Sequence, residues 1–325
     1  MILVTGANGL VGSFLCKALK RKNIAFKGLV RHDSDLLLTE ELSDHLIHGD
    51  FLDIEFLSKE LKNFTIIIHC AALVSFSKKR EEEMFQVNVV GTKQLVDLAL
   101  AGKIDYFIHL SSIAAIGRDQ RSELVNETQD WISSKTNTFY AESKHAAELE
   151  VWRGIQEGLP ACIINPSVIL APGDWTKSST QLFKYTWEEH KYYGGGNINY
   201  VDVRDVTSAC LALLEKRVTN ERFILNGGSI TYELFFQKVA AAFGKKPPRK
   251  KATHWESKLA LLFFKLKSML TNSEPMVTAA SIRVANDTTV FDNSKAENLL
   301  NMEFTNLEDT ISWTVESLKK RIKNN

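Results

Sequence analysis

The sequence predicts a doubly wound α/β fold, in which helices cover both faces of a parallel sheet, with a smaller lobe towards the C-terminus. In the first half of the 325-residue chain, short runs rich in β-branched residues alternate with longer helical patterns. These runs are continuously apolar, as in strands that are buried on both faces. After Pro166 the alternation gives way to aromatic residues and three consecutive glycines at 194–196, which indicates a second, smaller unit.

The individual elements can be read in order along the chain. The predicted strands are ILVT (2–5), AFKGLV (25–30), TIIIHC (65–70), YFIHLS (106–111) and ACIINP (161–166). The predicted helices between them are SFLCKALKRKN, IEFLSKELKN, VVGTKQLVDLALAGK and the stretch around YAESK (140–144). Because crossovers between parallel strands are right-handed, this order predicts a sheet of the Rossmann type.

The composition is that of an ordinary globular protein. Apolar residues make up 44% of the chain and charged residues 24%, and the formal net charge is +1, so the overall balance favours neither nucleic acid nor an anionic membrane as a partner. The four cysteines are widely spaced, which predicts a reducing, cytoplasmic setting. Met1 leads at once into the first strand, so we expect no signal peptide.

A glycine-rich stretch joins the first strand to the first helix. VTGANGLVGSFL (4–15) contains Gly6, Gly9 and Gly12 in a strand–turn–helix context. Glycine lets a backbone approach a pyrophosphate closely, and the start of a helix directs N–H groups and a positive dipole end at the anion. The stretch therefore predicts a dinucleotide-binding loop.

The spacing G-x-x-G-x-x-G after Thr5 resembles the extended branch of the short-chain dehydrogenase/reductase superfamily, the NAD-dependent epimerase/dehydratase family. HGDFLD (48–53), HCAALV (69–74) and NVVGT (88–92) match that family in order, and the resemblance implies that Asn88 supports the active-site helices. The cofactor-binding positions that it implies in this half of the chain are Thr5, Gly6, Asn8, Gly9, Leu10, Val11, Gly12, Asp50, Phe51, Ala71 and Ala72.

The end of the second strand predicts which dinucleotide is bound. An acidic residue there would bind the 2′-hydroxyl of the adenosine ribose, whereas an arginine would accommodate a 2′-phosphate. The strand ends GLVRHDSD, with Arg31 at its edge and Ser34 as a second contact. We therefore predict NADP as the cofactor. NAD is the alternative, because Asp33 or Asp35 would reach the ribose if the strand ended elsewhere.

The resemblance also implies a catalytic trio. HLSSIAAIG (109–117) supplies the serine, which is Ser112 when counted back from Gly117, and YAESK supplies Tyr140 and Lys144. Hydride transfer to a carbonyl builds negative charge on oxygen, which must be stabilised and protonated. The pKa of a free tyrosine is near 10, and a cation within about 4–6 Å lowers it. Lys144, one helical turn after Tyr140, is expected to supply that cation.

The segment NPSVILAPGDW (165–175) resembles the part of the family that lines the nicotinamide, at Pro166, Ser167 and Val168, although many members have arginine where this chain has Asn165. Together with LVRHDSD, it resembles the dihydroflavonol reductase-like branch. The resemblance implies an NADP(H)-dependent oxidoreductase acting on a ketone, an aldehyde or the corresponding alcohol.

Other functions on the same scaffold remain open. A sugar-nucleotide epimerase or dehydratase needs cations to clamp a diphosphate, but residues 172–200 contain three lysines, one histidine and no arginine. A hydroxysteroid dehydrogenase-like enzyme is another alternative, as is a non-enzymatic cofactor sensor. The aromatic residues of this stretch favour an apolar or aromatic substrate, and core packing would explain them equally well.

The chain is predicted to form two domains. Residues 1–170 plus about 199–226 would form the dinucleotide-binding Rossmann domain, since NYVDVRDVTSACLALLE (199–215) has the pattern of a strand followed by a helix. Residues 171–198 plus 227–325 would form the substrate-binding lobe. The resemblance is strong over about residues 1–240 and also implies that a homodimer can form through the helices that flank the active site.

Two further features have other simple explanations. His45 and His48 have a spacing found in metal sites, but no cysteine or further histidine joins them nearby, so no metal is predicted. The basic run KKPPRKK (245–251) precedes WESKLALLFFKLKSML, which is too short and too charged to span a bilayer. We expect a helix packed in the lobe there, and a helix lying on a membrane surface is the alternative.

Overall fold

A seven-stranded parallel sheet forms the centre of the molecule. The structure is a computed structural model that describes residues 1–117, 124–134, 137–271 and 278–324. Its strands are β1 (Ile2–Thr5), β2 (Phe26–Val30), β3 (Leu46–His48), β4 (Ile66–His69), β5 (Tyr106–Leu110), β6 (Leu124–Val125), β7 (Ala161–Pro166), β8 (Val168–Leu170), β9 (Tyr192–Tyr193), β10 (Asn197–Asp202), β11 (Glu221–Leu225), β12 (Gly228–Thr231), β13 (Lys250–Lys251) and β14 (Val290–Phe291). The order of the large sheet is β11-β7-β5-β4-β1-β2-β3, with parallel pairing throughout, which confirms the predicted fold class.

Helices cover both faces of this sheet. They are α1 (Leu10–Arg21), α2 (Ile54–Glu60), α3 (Glu81–Phe85), α4 (Gly91–Ala101), α5 (Phe139–Gln156), α6 (Gln181–Trp187), α7 (Val203–Lys216), α8 (Tyr232–Phe243), α9 (His254–Thr271), α10 (Ala279–Val284), α11 (Ser294–Leu300) and α12 (Leu307–Asn324). Side chains alternate along a strand, so Ile2 and Val4 of β1 face a core shared with α1 and α7, while Leu3 faces a core shared with α2, α4 and α5. The sheet is therefore buried on both faces.

The five predicted strands all belong to the large sheet, and their bounds agree with the structure to within one residue. The sheet has two further strands, β3 and β11, which the sequence analysis did not assign. Both lie at the edges of the sheet. β3 has three residues and none is buried, and β11 begins with the partly exposed pair Glu221 and Arg222. Their apolar runs are interrupted because an edge strand is not enclosed as a central strand is.

A smaller lobe is built around a three-stranded sheet of order β12-β10-β8. β7 belongs to the large sheet and β8 to the small one, so the chain passes between the sheets at Ser167. β10 pairs with β8 and β12, whereas α7 packs against α1 and β11 returns to the large sheet. The predicted boundaries of the two domains stay a prediction.

The aromatic residues of 171–198 contribute to the core of this lobe. Phe183 is fully buried and lies 6.1 Å from the ring of Phe235. The ring centre of Tyr185 lies 5.5 Å from that of Phe236, which belongs to α8, as does Phe235. Trp187 meets the edge of Phe243 at 5.4 Å. Core packing therefore explains these side chains, and they give no independent support to an aromatic substrate.

None of the helices in the described ranges has the length and apolar character needed to cross a membrane.

Candidate active site

The glycine loop lies where the large sheet changes its direction of winding. β2 and β3 lie on one side of β1, and β4 with the remaining strands on the other, so a crevice opens at the carboxyl ends of β1 and β4. Gly6 has a φ of +65°, and a Cβ on it would lie 2.7 Å from the Cα of Ala71. A Cβ on Gly12 would lie 2.2 Å from the carbonyl oxygen of Gly6. Both positions therefore require glycine.

The first turn of α1 is open to an anion. Its N-cap residue is Gly9, which supplies no capping side chain, and the turn contains no acidic residue. Basic Lys20 and Arg21 lie in the last turn, where they complement the helix dipole. The N–H groups and the positive end of the dipole at the start of α1 thus fit a pyrophosphate.

A buried network holds the loop against the neighbouring strand. The Thr5 hydroxyl lies 2.7 Å from Nδ1 of His69, and Nε2 of His69 lies 3.0 Å from the Thr92 hydroxyl. The backbone N–H of Ala71 also donates to the Thr5 hydroxyl at 3.3 Å. Burial lowers the pKa of His69 to about 3, so the ring is neutral at physiological pH. Thr5 therefore acts from beneath the crevice as a support for the loop.

A cavity of about 320 Å³ extends from the loop along the crevice. Ten of the predicted cofactor residues line it: Gly6, Asn8, Gly9, Leu10, Arg31, Ser34, Asp50, Phe51, Ala71 and Ala72. The other predicted residues lie outside its lining, namely Thr5, Val11, Gly12, Ser112, Tyr140, Lys144, Pro166, Ser167 and Val168. The structure thus brings the predicted adenosine and pyrophosphate contacts together in one cavity.

Arg31 lies exposed at the end of β2, where the predicted 2′-phosphate contact would be. Its backbone N–H donates to the Ser34 hydroxyl at 3.1 Å, and its Nε lies 3.5 Å from Asp33. Asp35 lies 3.2 Å from Nζ of Lys177, which comes from the smaller lobe. The two aspartates that were alternative ribose contacts are thus both paired with a cation.

Asp50 and Phe51 shape the turn after β3. The carboxylate of Asp50 accepts a hydrogen bond from the backbone N–H of Leu52 at 2.9 Å. Phe51 is buried, and a Cβ on Gly91 would lie 2.4 Å from its ring. The glycine at the start of α4 therefore makes room for this ring. Contact of either residue with an adenine stays a prediction.

The helix that carries Tyr140 and Lys144 is fixed at its start. The Thr138 hydroxyl caps α5 by accepting from the backbone N–H of Ala141 at 3.1 Å. Asn88, in a π-helical turn between α3 and α4, donates to the Ser143 hydroxyl at 3.0 Å and to the Leu73 carbonyl at 2.9 Å. Asn88 thus ties the loop after β4 to α5, as the resemblance implied.

Ser112 and Tyr140 are brought together by this arrangement. Ser112 follows β5 and begins a short 3₁₀ turn, where its hydroxyl accepts from the backbone N–H of Ala114 at 3.1 Å. Burial raises the pKa of Tyr140, while a hydrogen bond with Ser112 acts in the opposite direction. The expectation that Lys144 makes the phenol acidic is wrong for the protein without a cofactor, because burial raises the pKa of Tyr140 and the side chain that lowers this pKa is Ser112.

Lys144 is buried with 2% of its surface exposed. Its Nζ donates to the carbonyl oxygen of Leu110 at 2.8 Å, at the end of β5. Burial lowers its pKa to about 8, although the carboxylate of Glu148 one turn later favours the charged form. The ammonium group is therefore held close to the end of the central strand in an environment that makes it easier to deprotonate.

Asn165 and Glu148 are site residues that the sequence analysis did not assign. Nδ2 of Asn165 donates to the backbone carbonyl of Ser112 at 2.9 Å and to Glu148 at 2.5 Å. Glu148 is 1% exposed and lies 3.6 Å from Arg222 of β11. The signals present in the sequence were a glutamate four residues after Lys144, and an asparagine where many family members have arginine.

The segment between β7 and β8 contains the predicted nicotinamide contacts. The backbone N–H of Ser167 donates to the carbonyl of Leu225 at 2.9 Å, which fixes the segment to β11. Within the described chain, the buried hydroxyl of Ser167 has no hydrogen-bond partner. A buried hydroxyl of this kind requires a partner, and a bound ligand group would provide one.

The histidines with metal-like spacing are engaged in ring stacking. His45 stacks on Phe26 with the ring centres 4.7 Å apart, and His48 stacks on His32 at 5.6 Å. These contacts give both side chains a structural role at the outer edge of the sheet.

The doubly wound sheet with a glycine loop at its switch point is the architecture of proteins that bind a nicotinamide dinucleotide. The chain belongs to the NAD dependent epimerase/dehydratase family, whose model matches residues 2–226. It is accordingly an NAD(P)-dependent enzyme of the extended short-chain dehydrogenase/reductase type. The resemblance drawn from the glycine spacing is thereby confirmed.

Individual relatives agree with this assignment. The chain is 28% identical over 251 residues to sterol demethylase protein B of Methylococcus capsulatus, covering 76% of each protein. It is 25% identical over 323 residues to a Synechocystis sp. protein that bears the name dihydroflavonol 4-reductase, covering 95% of this chain and 93% of that protein. The crystal structure of gox2253 superposes with a TM-score of 0.84 at 30% identity, over 99% of this chain and 98% of that one.

Proposed function

We propose that the protein is an NADP(H)-dependent oxidoreductase that reduces a small-molecule ketone or aldehyde, or oxidises the corresponding alcohol. The main support is the arrangement of three side chains. Tyr140 lies in the first turn of α5, Lys144 follows one turn later, and Ser112 lies close enough to the phenol to lower its pKa. These are the groups that protonation and stabilisation of a reacting carbonyl oxygen require.

The residues fit a dinucleotide. Gly6 and Gly12 let the loop pack closely against Ala71 and onto itself. The first turn of α1 has no capping side chain, and within the described chain the buried Ser167 hydroxyl has no hydrogen-bond partner. When bound, the nicotinamide supplies or accepts the hydride. Lys144 would hold the nicotinamide ribose, and Pro166 and Val168 would line the ring.

Each member of the trio has a separate task. In reduction, the Tyr140 hydroxyl gives its proton to the carbonyl oxygen, and Ser112 donates a hydrogen bond to that oxygen as negative charge develops on it. The ammonium group of Lys144 stabilises the phenolate that remains. Burial raises the pKa of Tyr140, so the phenol of the free protein holds the proton that reduction requires.

The test is the Tyr140→Phe variant, assayed by NADPH fluorescence against a panel of ketones, aldehydes and sugar nucleotides. We expect the loss of the proton donor to lower kcat at least about 100-fold while cofactor affinity changes little. Phe139→Tyr as a single substitution is the control. It changes the aromatic residue next to Tyr140 and leaves the Tyr140 hydroxyl in place. Full turnover by Tyr140→Phe on an identified substrate would remove the acid–base assignment.

NADP is the proposed cofactor because Arg31 lies exposed at the edge of the cavity beside Ser34, and because Asp35, the aspartate that lines the cavity, is paired with Lys177. We expect Arg31→Asp to weaken NADP binding at least about tenfold, with little change for NAD, because a guanidinium–phosphate contact is lost. Fluorescence titration with both cofactors measures this. Arg249→Asp makes the same charge change away from the cavity and serves as control. An equal effect of Arg31→Asp on both cofactors would contradict the preference for NADP.

The cysteines indicate where in the cell the enzyme is located. A cytoplasmic location is supported by four free cysteines, of which Cys16, Cys162 and Cys210 are buried.

Sugar-nucleotide epimerisation is the second candidate function, because the family that the chain belongs to includes epimerases and dehydratases. Such an enzyme would convert its substrate without net consumption of NADPH, so the same fluorescence assay separates the two functions.

A further inference from the structure

Helix α9 presents a row of large apolar side chains to solvent. Trp255, Leu259, Leu262 and Phe263 are 75%, 65%, 57% and 61% exposed. Residues three and four apart lie on the same side of a helix, so these four side chains share one face. Exposed apolar residues are ordinarily scattered singly, whereas a contiguous group of this kind marks a site of interaction.

The helix is weakly packed against the rest of the protein. None of residues 254–264, the part of α9 whose side chains the structure describes, is buried. By contrast, the preceding helix α8 buries Phe235, Phe236 and Val239 in the core of the lobe. An amphipathic helix is normally stabilised by burying its apolar stripe, so the exposed stripe of α9 is available to a partner.

The segment that contains α9 is strongly basic. Residues 245–271 contain eight lysines and arginines and a single acidic residue, which gives the segment a charge of +7. Since the whole chain has a net charge of +1, the remaining residues together carry −6. Positive charge is thus concentrated in the part of the chain that also exposes the apolar face. Among the side chains of this segment that the structure describes, the exposed cations are Lys246, Arg249, Lys250, Lys251 and Lys258.

These cations adjoin the apolar face. Nζ of Lys258 lies 5.5 Å from the ring centre of Trp255. Lys250 and Lys251 form β13, which pairs with β9 and so fixes the basic strand to the lobe directly before the helix. The one acidic residue of the segment, Glu256, is neutralised by an ion pair with Lys250 at 2.5 Å. The exposed apolar side chains of α9 thus have Lys258 beside them and directly follow a basic strand.

We propose that α9 and the basic segment before it form a docking surface for an anionic lipid bilayer, with the helix lying in the plane of the interface. Trp, Leu and Phe on one face with lysines beside them are what insertion at the headgroup boundary requires. A second copy of this chain fits less well, because two surfaces of charge +7 would repel each other. The inference is independent of the proposed activity.

The test uses co-sedimentation of the full chain with phosphatidylcholine vesicles that contain or lack phosphatidylserine. We expect binding only to the anionic vesicles, and its loss at about 1 M salt, where the Debye length falls to about 3 Å. Leu259→Asp combined with Leu262→Asp should weaken binding more than about tenfold, because two apolar side chains can no longer be buried in the interface. Leu234→Asp on α8, where the leucine is 49% exposed, is the matched control and should bind as wild type does.

The charges are tested separately. Lys246→Gln combined with Lys251→Gln should weaken binding about 25-fold, since each lost cation near an anionic surface costs about fivefold. Lack of binding of the wild type to anionic vesicles at low salt would overturn the proposal, as would equal binding by the Leu259/Leu262 double variant. A dimer in light scattering that the same double variant abolishes would assign the surface to a second copy and would equally overturn it. Circular dichroism checks that each variant is folded.

Discussion

A series of buried polar groups connects helix α5 to the large sheet. Lys144 is bonded to the end of β5, and Glu148 is bonded through Asn165 to the backbone of Ser112. Burial disfavours the charged forms of both Lys144 and Glu148, lowering the pKa of the former and raising that of the latter. Removing one partner from such a group leaves a buried charge unpaired, which costs several kcal/mol. We therefore propose a positioning role for Asn165, since its Nδ2 donates to the backbone carbonyl of Ser112.

The pKa of Lys144 predicts how activity depends on pH. Because burial lowers this pKa from its usual value to about 8, the ammonium group is present below pH 8 and is lost as the pH rises through that value. We expect kcat/KM for carbonyl reduction to be level below about pH 8 and to fall above it, because the phenolate formed on Tyr140 loses its stabilising charge. Measurement of kcat/KM at constant ionic strength checks this.

The Lys144→Met variant is the control for that profile. It should have lower activity at every pH and no alkaline decline with a pKa near 8, since the titrating group is absent. A profile that declines near pH 8 in both proteins would show that another group is responsible.

Single residues differ in how well the sequence reveals them. Gly6, Tyr140 and Lys144 were predicted because chemistry or backbone geometry restricts each position to very few residue types. Asn165 and Glu148 were not assigned, because an asparagine or a glutamate has many uses and its role depends on which partners the fold brings near. The direction of the Tyr140 pKa was wrong for a related reason, since the extent of burial is a tertiary property.

At the scale of elements, the start of α5 determines where Tyr140 lies. The helix begins at Phe139, directly after its cap Thr138, so the phenol proposed as the acid–base group lies in the first turn, where helices fray most readily. Asn88 supports the same turn through Ser143, from a π-helical segment that interrupts the regular helix. Irregular turns of this kind occur frequently at functional sites.

The cap of α5 gives a prediction at this scale. We expect Thr138→Ala to lower the free energy of unfolding by about 1 kcal/mol, because one N–H group at the start of the helix loses its acceptor. The same change should lower kcat, since it loosens the turn that carries Tyr140. Thr138→Ser keeps the hydroxyl and should retain both properties. Urea denaturation and steady-state kinetics measure the two effects, and a stable Thr138→Ala protein with normal kcat would contradict the assigned role.

Elements in the middle of the sheet were predicted well, and those at its edges were not. β1 and β7 are enclosed on both faces, so their residues form continuous apolar runs that the sequence displays directly. β3 and β11 border the sheet and carry exposed or charged residues, so their pairing becomes evident only from the register with β2 and β7. The aromatic stretch of 171–198 was ambiguous because core residues and substrate contacts share the same composition.

Across the whole molecule, the cavity proposed to hold the cofactor lies between the large sheet and the smaller lobe. Asp35, in the loop after β2, is paired with Lys177 of the lobe at 3.2 Å, and residues from both sides line the cavity. Both side chains are more than half exposed, so this ion pair alone contributes little to stability. A cofactor that fills the cavity would contact both sides, and its binding energy should therefore add to the stability of the whole chain.

This coupling leads to a prediction that uses Gly12. At a cofactor concentration of about 100 times Kd, the free energy of unfolding of the wild type should rise by about 2.7 kcal/mol. Gly12→Ala should lose this gain, because the new Cβ would lie 2.2 Å from the Gly6 carbonyl and would displace the loop from the pyrophosphate. Gly102→Ala, at the end of α4 and outside the cavity lining, should retain it. Thermal and urea unfolding with and without NADPH give the difference for each protein, whatever its intrinsic stability. An unchanged gain in Gly12→Ala would mean that the dinucleotide does not bind at this loop.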